Sequence, residues 1–204
     1  MQNADDAGAK EVKFFVLGAR EVSASGQDYL HKGFRDYSGP ALYAWNDAAF
    51  AESDFKAIRN IGASSKTKDA TKTGKFGLGF NAVYHFTDMP SFLTGRYLVI
   101  MDPHQRMLLG DDGEKAFARR WDCLATDIGR YSGHVKWFEV VGHPTDLSSE
   151  YGGTMFRFPL RTPSHAEMSD LSRETWTIES IGRIFQQFQV ECEPMLLFLK
   201  SAAW

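Results

Sequence analysis

The apolar residues of this chain come in short runs. No run is longer than five residues, as in Tyr97–Met101 and Met195–Leu199, whereas a helix that spans a bilayer needs about 20. No segment is therefore apolar enough to cross a bilayer, and we expect no membrane partner. Hydrophobic residues make up 43% and charged residues 24% of the sequence, which are the proportions of an ordinary globular domain and argue against disorder.

The periodicity of these runs predicts both strands and helices. Val12, Phe14 and Val16 alternate on one face, which is typical of a strand. Predicted strands cover residues 10–17, 42–45, 97–101, 137–141 and 154–160, and predicted helices cover residues 52–61, 80–86 and 177–189. Several strands follow one another late in the chain, so we predict an α+β fold in which helices cover one face of a largely antiparallel or mixed sheet. No linker interrupts the 204 residues, which indicates a single domain.

Charge and cysteine content argue against several functions. Lys and Arg number 23 against 26 Asp and Glu, a net charge of −3, so no nucleic-acid partner is expected. The two cysteines are too few for a disulfide framework or a zinc site, and the six histidines show no metal-ligand spacing. With no signal peptide in view, we expect a reduced, cytoplasmic protein.

The strongest local motif is the glycine-rich segment Thr73–Phe80, which lies between a polar loop and a predicted helix. Gly74, Gly77 and Gly79 allow the backbone to approach a ligand closely, and the free N–H groups of a helix N-terminus suit an anion. The segment therefore predicts a phosphate-binding loop. It is neither a Walker loop, which needs Gly-Lys-Ser/Thr after a longer spacer, nor a Rossmann motif, which needs a preceding strand. The alternative is that the glycines only allow the helix and the loop to pack tightly.

Three further motifs contain residue types that nucleotide sites use. They are Asn3-Ala4-Asp5-Asp6-Ala7, Asn46-Asp47-Ala48 at the end of a predicted strand, and Gly152-Gly153-Thr154. An acid at the end of a strand can accept a hydrogen bond from an exocyclic amine such as that of adenine. Taken singly, each of the first two motifs is more typical of a turn or a helix cap, and the third is typical of a hairpin turn.

In this order along the chain, the four motifs resemble those of the GHKL ATPases. That superfamily includes the ninety-kilodalton heat-shock chaperone, DNA gyrase, MutL and histidine kinases. The closer resemblance is to sacsin-like proteins, whose repeats begin with a chaperone-like nucleotide-binding region. It extends over almost the whole chain and is carried by residues 2–16, 39–50, 73–92, 102–105, 152–161 and 195–201.

The resemblance implies one domain over residues 1–204, a two-layer α/β sandwich of the GHKL (Bergerat) type with ATP between the helices and a lid. Asn3 would hold the Mg²⁺ that bridges the phosphates. Asp47 would accept from the adenine amino group, and Thr154 beside it would support a water. Asn60 would lie near the ribose and phosphates, and residues 64–73 would form the lid. The phosphates would be bound by the backbone N–H groups of Gly74, Phe76, Gly77 and Gly79, with charge added by Lys75.

The chain departs from the family pattern at two places. The family motif Glu-x-x-x-Asn would put a glutamate four positions before Asn3, which falls before Met1. We therefore expect a domain that is incomplete at its N-terminal edge and that binds ATP weakly or not at all. No catalytic residue is assigned, and hydrolysis should be very weak, since general-base help is worth about 100- to 10,000-fold in rate. The family motif Asp-x-Gly-x-Gly is here Asp47-Ala48-Ala49-Phe50, a glycine-free form that sacsin-like sequences share.

The functional expectation is an ATP-binding domain of the chaperone or co-chaperone type. ATP, ADP and Mg²⁺ would be its ligands, and protein clients or co-chaperones would be its partners. The alternative is a nucleotide-free protein-interaction module that keeps a degenerate ATPase fold. A histidine kinase or a topoisomerase ATPase is disfavoured, because the sequence shows neither a phosphoacceptor helix nor a transducer domain.

Overall fold

The computed structural model describes residues 1–19, 29–56, 58, 80–138 and 149–191. The α-helices are α1 Gln2–Asp6, α2 Ser132–Val135, α3 Pro163–Met168 and α4 Ile178–Glu191. Short 3₁₀ helices lie at Lys32–Ser38, Ala82–His85 and Asp127–Arg130, and residues 52–56 and 58 are also helical. The strands are β1 Val12–Leu17, β2 Ala41–Asn46, β3 Ser91–Gly95, β4 Tyr97–Met101, β5 Ala118–Asp122 and β6 Tyr151–Pro159.

The described strands form one six-stranded sheet in the order β1-β2-β6-β3-β4-β5. Every neighbouring pair is antiparallel. β6 lies between β2 and β3, where the register places Asn46 opposite Thr154 and Phe92 opposite Phe156. The predicted α+β fold with a largely antiparallel sheet is confirmed.

Both faces of the sheet are covered, because successive residues of a strand point to opposite sides. On one face, Tyr43 and Met155 belong to the largest core cluster, with aromatic residues from segments 29–37 and 131–138. On the other face, Phe156 packs with Phe55 and Ile58, with residues from segment 80–86 and with α4. We call this second side the helical face of the sheet.

Most predicted elements are confirmed. They are the strands at 10–17, 42–45, 97–101 and 154–160 and the helix at 177–189. The predicted helix at 80–86 is largely the 3₁₀ helix Ala82–His85. In the part of the chain that the structure describes, no helix is long and apolar enough to cross a membrane.

One prediction of local structure is wrong, and one alternative interpretation is excluded. Trp137 and Phe138 do not begin a strand but lie in a turn after α2, where both are buried in the core. Gly152 and Gly153 do not form a hairpin turn, because both lie within β6.

Candidate functional site

A cavity of about 330 Å³ lies on the helical face of the sheet, bordered by α1, by β1, β2 and β6, and by residues 80–83. Its volume is at the lower end of the range for small-molecule sites, about 300–1,000 Å³. The lining is mostly apolar, and its large aromatic side chains on this face are Phe14, Phe50, Phe80, Phe156 and Phe158. Such a lining suits a planar, aromatic ligand group.

α1 forms one wall of the cavity through Asn3, Ala4, Asp6 and Ala7. The helix is short: the Ala7 N–H donates to the Asn3 carbonyl at 3.1 Å, and the chain then turns at Gly8, whose φ of +80° favours glycine. Asn3 and Asp6 are one helical turn apart and therefore share a face of α1. Their side-chain oxygens are the kind of ligand that Mg²⁺ takes.

A Mg²⁺ ion at α1 would depend on the ligand that it accompanies. Among the described residues, no group of three or more His, Cys, Asp or Glu side chains could hold a metal ion by itself. Mg²⁺ is usually bound through one or two protein oxygens together with phosphate oxygens and waters. Asn3 and Asp6 fit that mode of binding and do not fit a dedicated metal cage.

Asn46, the last residue of β2, contributes a polar group to the lining and is only 8% exposed. Its side-chain oxygen Oδ1 accepts a hydrogen bond from the Ala48 N–H at 3.0 Å. Only an oxygen can accept from this N–H, so the orientation of the amide is chemically determined. Beyond this bond, Asn46 has a donor in the carboxamide nitrogen Nδ2 and an acceptor in the second lone pair of Oδ1.

A chain of hydroxyl groups holds the segment after β2 in place. The Phe50 N–H donates to Thr94 Oγ1 at 2.9 Å, and Thr94 Oγ1 lies 2.8 Å from Thr154 Oγ1. Thr154 Oγ1 donates to the Ala48 carbonyl at 2.8 Å, so Thr94 is the donor in the pair. Thr154, predicted to support a ligand water, is fully buried and does not itself line the cavity.

Asp47, predicted to contact adenine, is exposed and outside the cavity lining. Its Oδ1 accepts from the Lys10 N–H at 2.8 Å and from the Glu11 N–H at 3.0 Å. The hydrogen bond from the Glu11 N–H is the main cause that keeps the pKa of Asp47 below its ordinary value. Desolvation opposes it, and the hydrogen bond from the Lys10 N–H adds to the lowering. The carboxylate thus ties the segment before β1 to the end of β2, and its contact with adenine stays a prediction.

The structure brings some of the predicted residues together. Asn3 lines the cavity and Thr154 lies opposite Asn46 in the register. The remaining predicted residues lie outside the described part of the chain, as does the predicted lid at 64–73; they are Asn60, Gly74, Lys75, Phe76, Gly77 and Gly79.

Sequence reasoning missed Asn46 as a cavity residue, although it stands in the motif next to Asp47. The alternation of side chains along a strand could have identified it, because Leu42, Ala44 and Asn46 share one side of β2. Ala44 and Asn46 both line the cavity. Asp47 lies one position beyond that series.

The charged side chains around the cavity are acidic. Asp6 and Asp54 line it, and no lysine or arginine does so among the described residues. The Asp54 carboxylate also accepts from the Ala51 N–H at 2.7 Å, at the start of helical residues 52–56. An anionic ligand group would therefore need a cation that comes from Mg²⁺ or from another part of the chain.

Comparison with known proteins gives one consistent family. The family model described as the Sacsin domain matches residues 1–203. The human protein Sacsin is 35% identical over 211 aligned positions, which cover 98% of this chain and 4% of Sacsin. The chain therefore spans about 4% of the length of that curated relative.

Proposed function

The chain belongs to the sacsin domain family, and on that basis we propose that it is an ATP-binding domain of a sacsin-like protein, of the GHKL type. The observation that carries the proposal is the cavity of about 330 Å³, with Asn3 on its α1 wall and Asn46 at the end of β2. Two of the sequence motifs that resemble those of a nucleotide site form these parts of the cavity: residues 3–7 form the α1 wall, and residues 46–48 lie at the end of β2.

The cavity is the proposed site of the purine base. Aromatic side chains such as Phe14, Phe80 and Phe156 would bury the ring faces of the base, and Asn46 would fix the orientation of its edge. Ring burial gives affinity, whereas a single polar contact in an apolar lining mainly gives specificity.

The phosphates would extend from the cavity towards α1. Bound Mg²⁺ would supply the positive charge that the cavity lining lacks, held by the side-chain oxygens of Asn3 and Asp6 and by the phosphates. In the same proposal, Asn60 lies near the ribose, and Gly74, Phe76, Gly77 and Gly79 donate backbone N–H groups to the phosphates beside Lys75. A chaperone or co-chaperone role coupled to this binding is the wider proposal for the protein that contains the domain.

A second candidate function is a protein-interaction module that binds no nucleotide. The observation in its favour is the acidic and apolar character of the cavity, lined by Asp6, Asp54 and aromatic residues. The two candidates differ in one measurable property, the response of the fold to Mg²⁺ and ATP.

The test is thermal unfolding of the chain with and without millimolar Mg²⁺ and ATP. A ligand present at ten times its Kd stabilises the native state by about 1.4 kcal/mol, which raises Tm by about 3–6 °C for a chain of this size. We expect such a shift for the wild type and its loss in Ala7→Trp, because Ala7 is exposed and lines the cavity. Tryptophan there would fill the site without disturbing the core.

The matched control is Ala118→Trp, which adds the same side chain at an exposed position on β5, outside the cavity lining. It should keep the shift of the wild type. A wild type that gives no shift, and no heat of binding by calorimetry, would leave the interaction module as the function.

A further inference from the structure

Three polar side chains form a row across the sheet beside the cavity. The register places Asn46 of β2 opposite Thr154 of β6, and Thr154 opposite Thr94 of β3. Directly opposed residues of neighbouring strands point to the same side of a sheet, so all three side chains lie on the helical face. Of the three, Asn46 lines the cavity, whereas Thr94 and Thr154 lie next to it and are 1% and 0% exposed.

Thr94 holds the backbone of a residue that does line the cavity. The Phe50 N–H donates to Thr94 Oγ1 at 2.9 Å, and Phe50 belongs to the cavity lining. Thr94 donates its own proton to Thr154, which donates to the Ala48 carbonyl. The two hydroxyl groups thereby tie residues 48 and 50 to β3 and β6. Without the Thr94 hydroxyl, the Phe50 N–H would lose its acceptor.

The ring of Phe50 is held as firmly as its backbone. Its centroid lies 5.1 Å from that of Phe92 and 5.9 Å from that of Phe156. The Phe55 ring packs edge-on against it at 5.4 Å. Phe92 and Thr94 share one side of β3, so one strand supports both the ring and the backbone of Phe50. A ring fixed at both points meets a ligand in one orientation, which reduces the entropy lost on binding.

We propose that Thr94 is a positioning residue for nucleotide binding, which acts by placing the Phe50 ring against the purine base. The inference rests on the proposed function, which puts the base in this cavity. Thr94 lies outside the cavity lining and acts through its hydrogen bond to the Phe50 N–H. The hydroxyl group therefore carries the effect, and the size of the side chain does not.

The test is Thr94→Val, which keeps the shape of the side chain and removes the hydroxyl. The Kd for ATP is measured by calorimetry with Mg²⁺, at a temperature well below the unfolding transition of each variant. A buried N–H without an acceptor is unfavourable, so the binding-competent position of Phe50 becomes less populated and Kd should rise by about 10-fold. Thr94→Ser keeps the hydroxyl and should retain a Kd within about 2-fold of the wild type.

Thr87→Val is the matched control. Thr87 is also a fully buried threonine whose Oγ1 accepts from a backbone N–H, that of Met89 at 3.1 Å, but it lies outside the cavity lining. Both valine variants should have a lower Tm than the wild type, because each loses a buried hydrogen bond. Only Thr94→Val should weaken ATP binding. A merely structural role for Thr94 would lower Tm and leave Kd unchanged.

A double-mutant cycle tests whether Thr94 acts through Phe50. Phe50→Leu removes the aromatic ring that Thr94 is proposed to position. In that background, Thr94→Val should change the Kd for ATP by less than about 2-fold, because two residues that act as one unit are not additive. An equal effect of Thr94→Val with and without the Phe50 ring would overturn the inference.

The outcomes separate this inference from the proposed function. A wild type that binds ATP with a Kd that Thr94→Val changes no more than Thr87→Val does overturns the inference and leaves the proposed function intact. A Thr94→Ser variant that binds as weakly as Thr94→Val also overturns it, because serine keeps the hydroxyl. Failure of the wild type to bind ATP overturns both proposals.

Discussion

His134 shows how one side chain makes the fold sensitive to pH. The residue is fully buried, and its Nε2 accepts a hydrogen bond from the Leu30 N–H at 3.2 Å. Its ring packs edge-on against Phe34 and Trp137, with centroids 4.8 Å and 4.7 Å away. Burial, with a smaller contribution from the charge of Arg157, lowers the pKa of His134 to about 3. The native state therefore requires the neutral imidazole.

We predict that His134 makes the protein less stable as the pH falls below about 6.5, the pKa of an unfolded histidine. Its contribution is fully present above that pH. It declines towards pH 3, because the unfolded chain takes up a proton that the native state excludes, by up to about 1.4 kcal/mol for each pH unit. Between pH 7.5 and pH 5, the free energy of unfolding, measured with urea, should fall less for His134→Gln than for the wild type. Glutamine keeps an acceptor for the Leu30 N–H but does not titrate.

Burial also lowers the pKa of His165. This second histidine therefore also lowers the free energy of unfolding as the pH falls. The difference between the wild type and His134→Gln isolates His134, since both proteins keep His165. Equal losses of stability in the two proteins would contradict the assignment.

At the scale of elements, the pairing of β2 with β6 depends on a glycine. A side chain at Gly153 would overlap the carbonyl oxygen of Asn46 on the neighbouring strand. A side chain at Gly152, one position earlier in β6, would meet no neighbouring atom. The close approach at Gly153 lets β6 lie beside the residue that shapes the end of the cavity.

We predict that Gly153→Ala destabilises the protein by about 1–3 kcal/mol, the usual cost of forcing an extra group into a packed site. Gly152→Ala is its matched control, with the same change in the same strand, and should alter stability far less. The free energies of unfolding of the two variants, measured with a chemical denaturant, test this prediction. Similar unfolding midpoints for both would show that the strands shift apart at little cost.

The elements that the sequence predicts best are those with one buried side. β1 and α4 carry apolar residues at period two or at helical spacing, and that spacing predicts them. β3 is buried along most of its length and shows no alternation, whereas β5, an edge strand, is largely charged. Neither has a local pattern that identifies it as a strand.

Tertiary packing explains why no strand begins at Trp137. The aromatic residues Trp137 and Phe138 have high strand propensity, but tertiary packing buries them in a turn. At the candidate site, the sequence identifies the motif at the end of β2 but not which residue lines the cavity. The choice between Asn46 and Asp47 depends on the cross-strand register and on where Lys10 and Glu11 come to lie, and both are long-range features.

At the scale of the whole molecule, a buried ion pair joins segments that are distant in sequence. Arg161, after β6, donates from Nε and Nη2 to both carboxylate oxygens of Asp88 at 3.0 Å and 2.9 Å. Ser169 donates to the same carboxylate at 2.6 Å, and His104 Nε2 lies 3.5 Å from it. Burial alone would raise the pKa of Asp88, but His104, Arg161 and Ser169 keep it well below its ordinary value.

We predict that Arg161→Leu destabilises the protein by about 3–5 kcal/mol, because it leaves the Asp88 charge buried without its main partner. Arg96→Leu is the matched control, since Arg96 also contacts both carboxylate oxygens of an aspartate, Asp122, but at a partly exposed position. Surface pairs of that kind are worth about 0–1 kcal/mol. Equal losses of stability for the two variants, measured by urea unfolding, would contradict a structural role for the buried pair.

The position of β6 in the sheet also sets the order in which the domain can assemble during synthesis. β2 and β3 do not pair with each other, and both pair with β6. β3 ends at Gly95, whereas β6 is complete only at Pro159. At about 5–20 residues per second, a ribosome needs roughly 3–13 s to make the intervening chain. Until β6 emerges, the edges of β2 and β3 that it will pair with stay open. Unpaired strand edges are prone to aggregation, so a nascent chain in this state is the kind of species that chaperones bind.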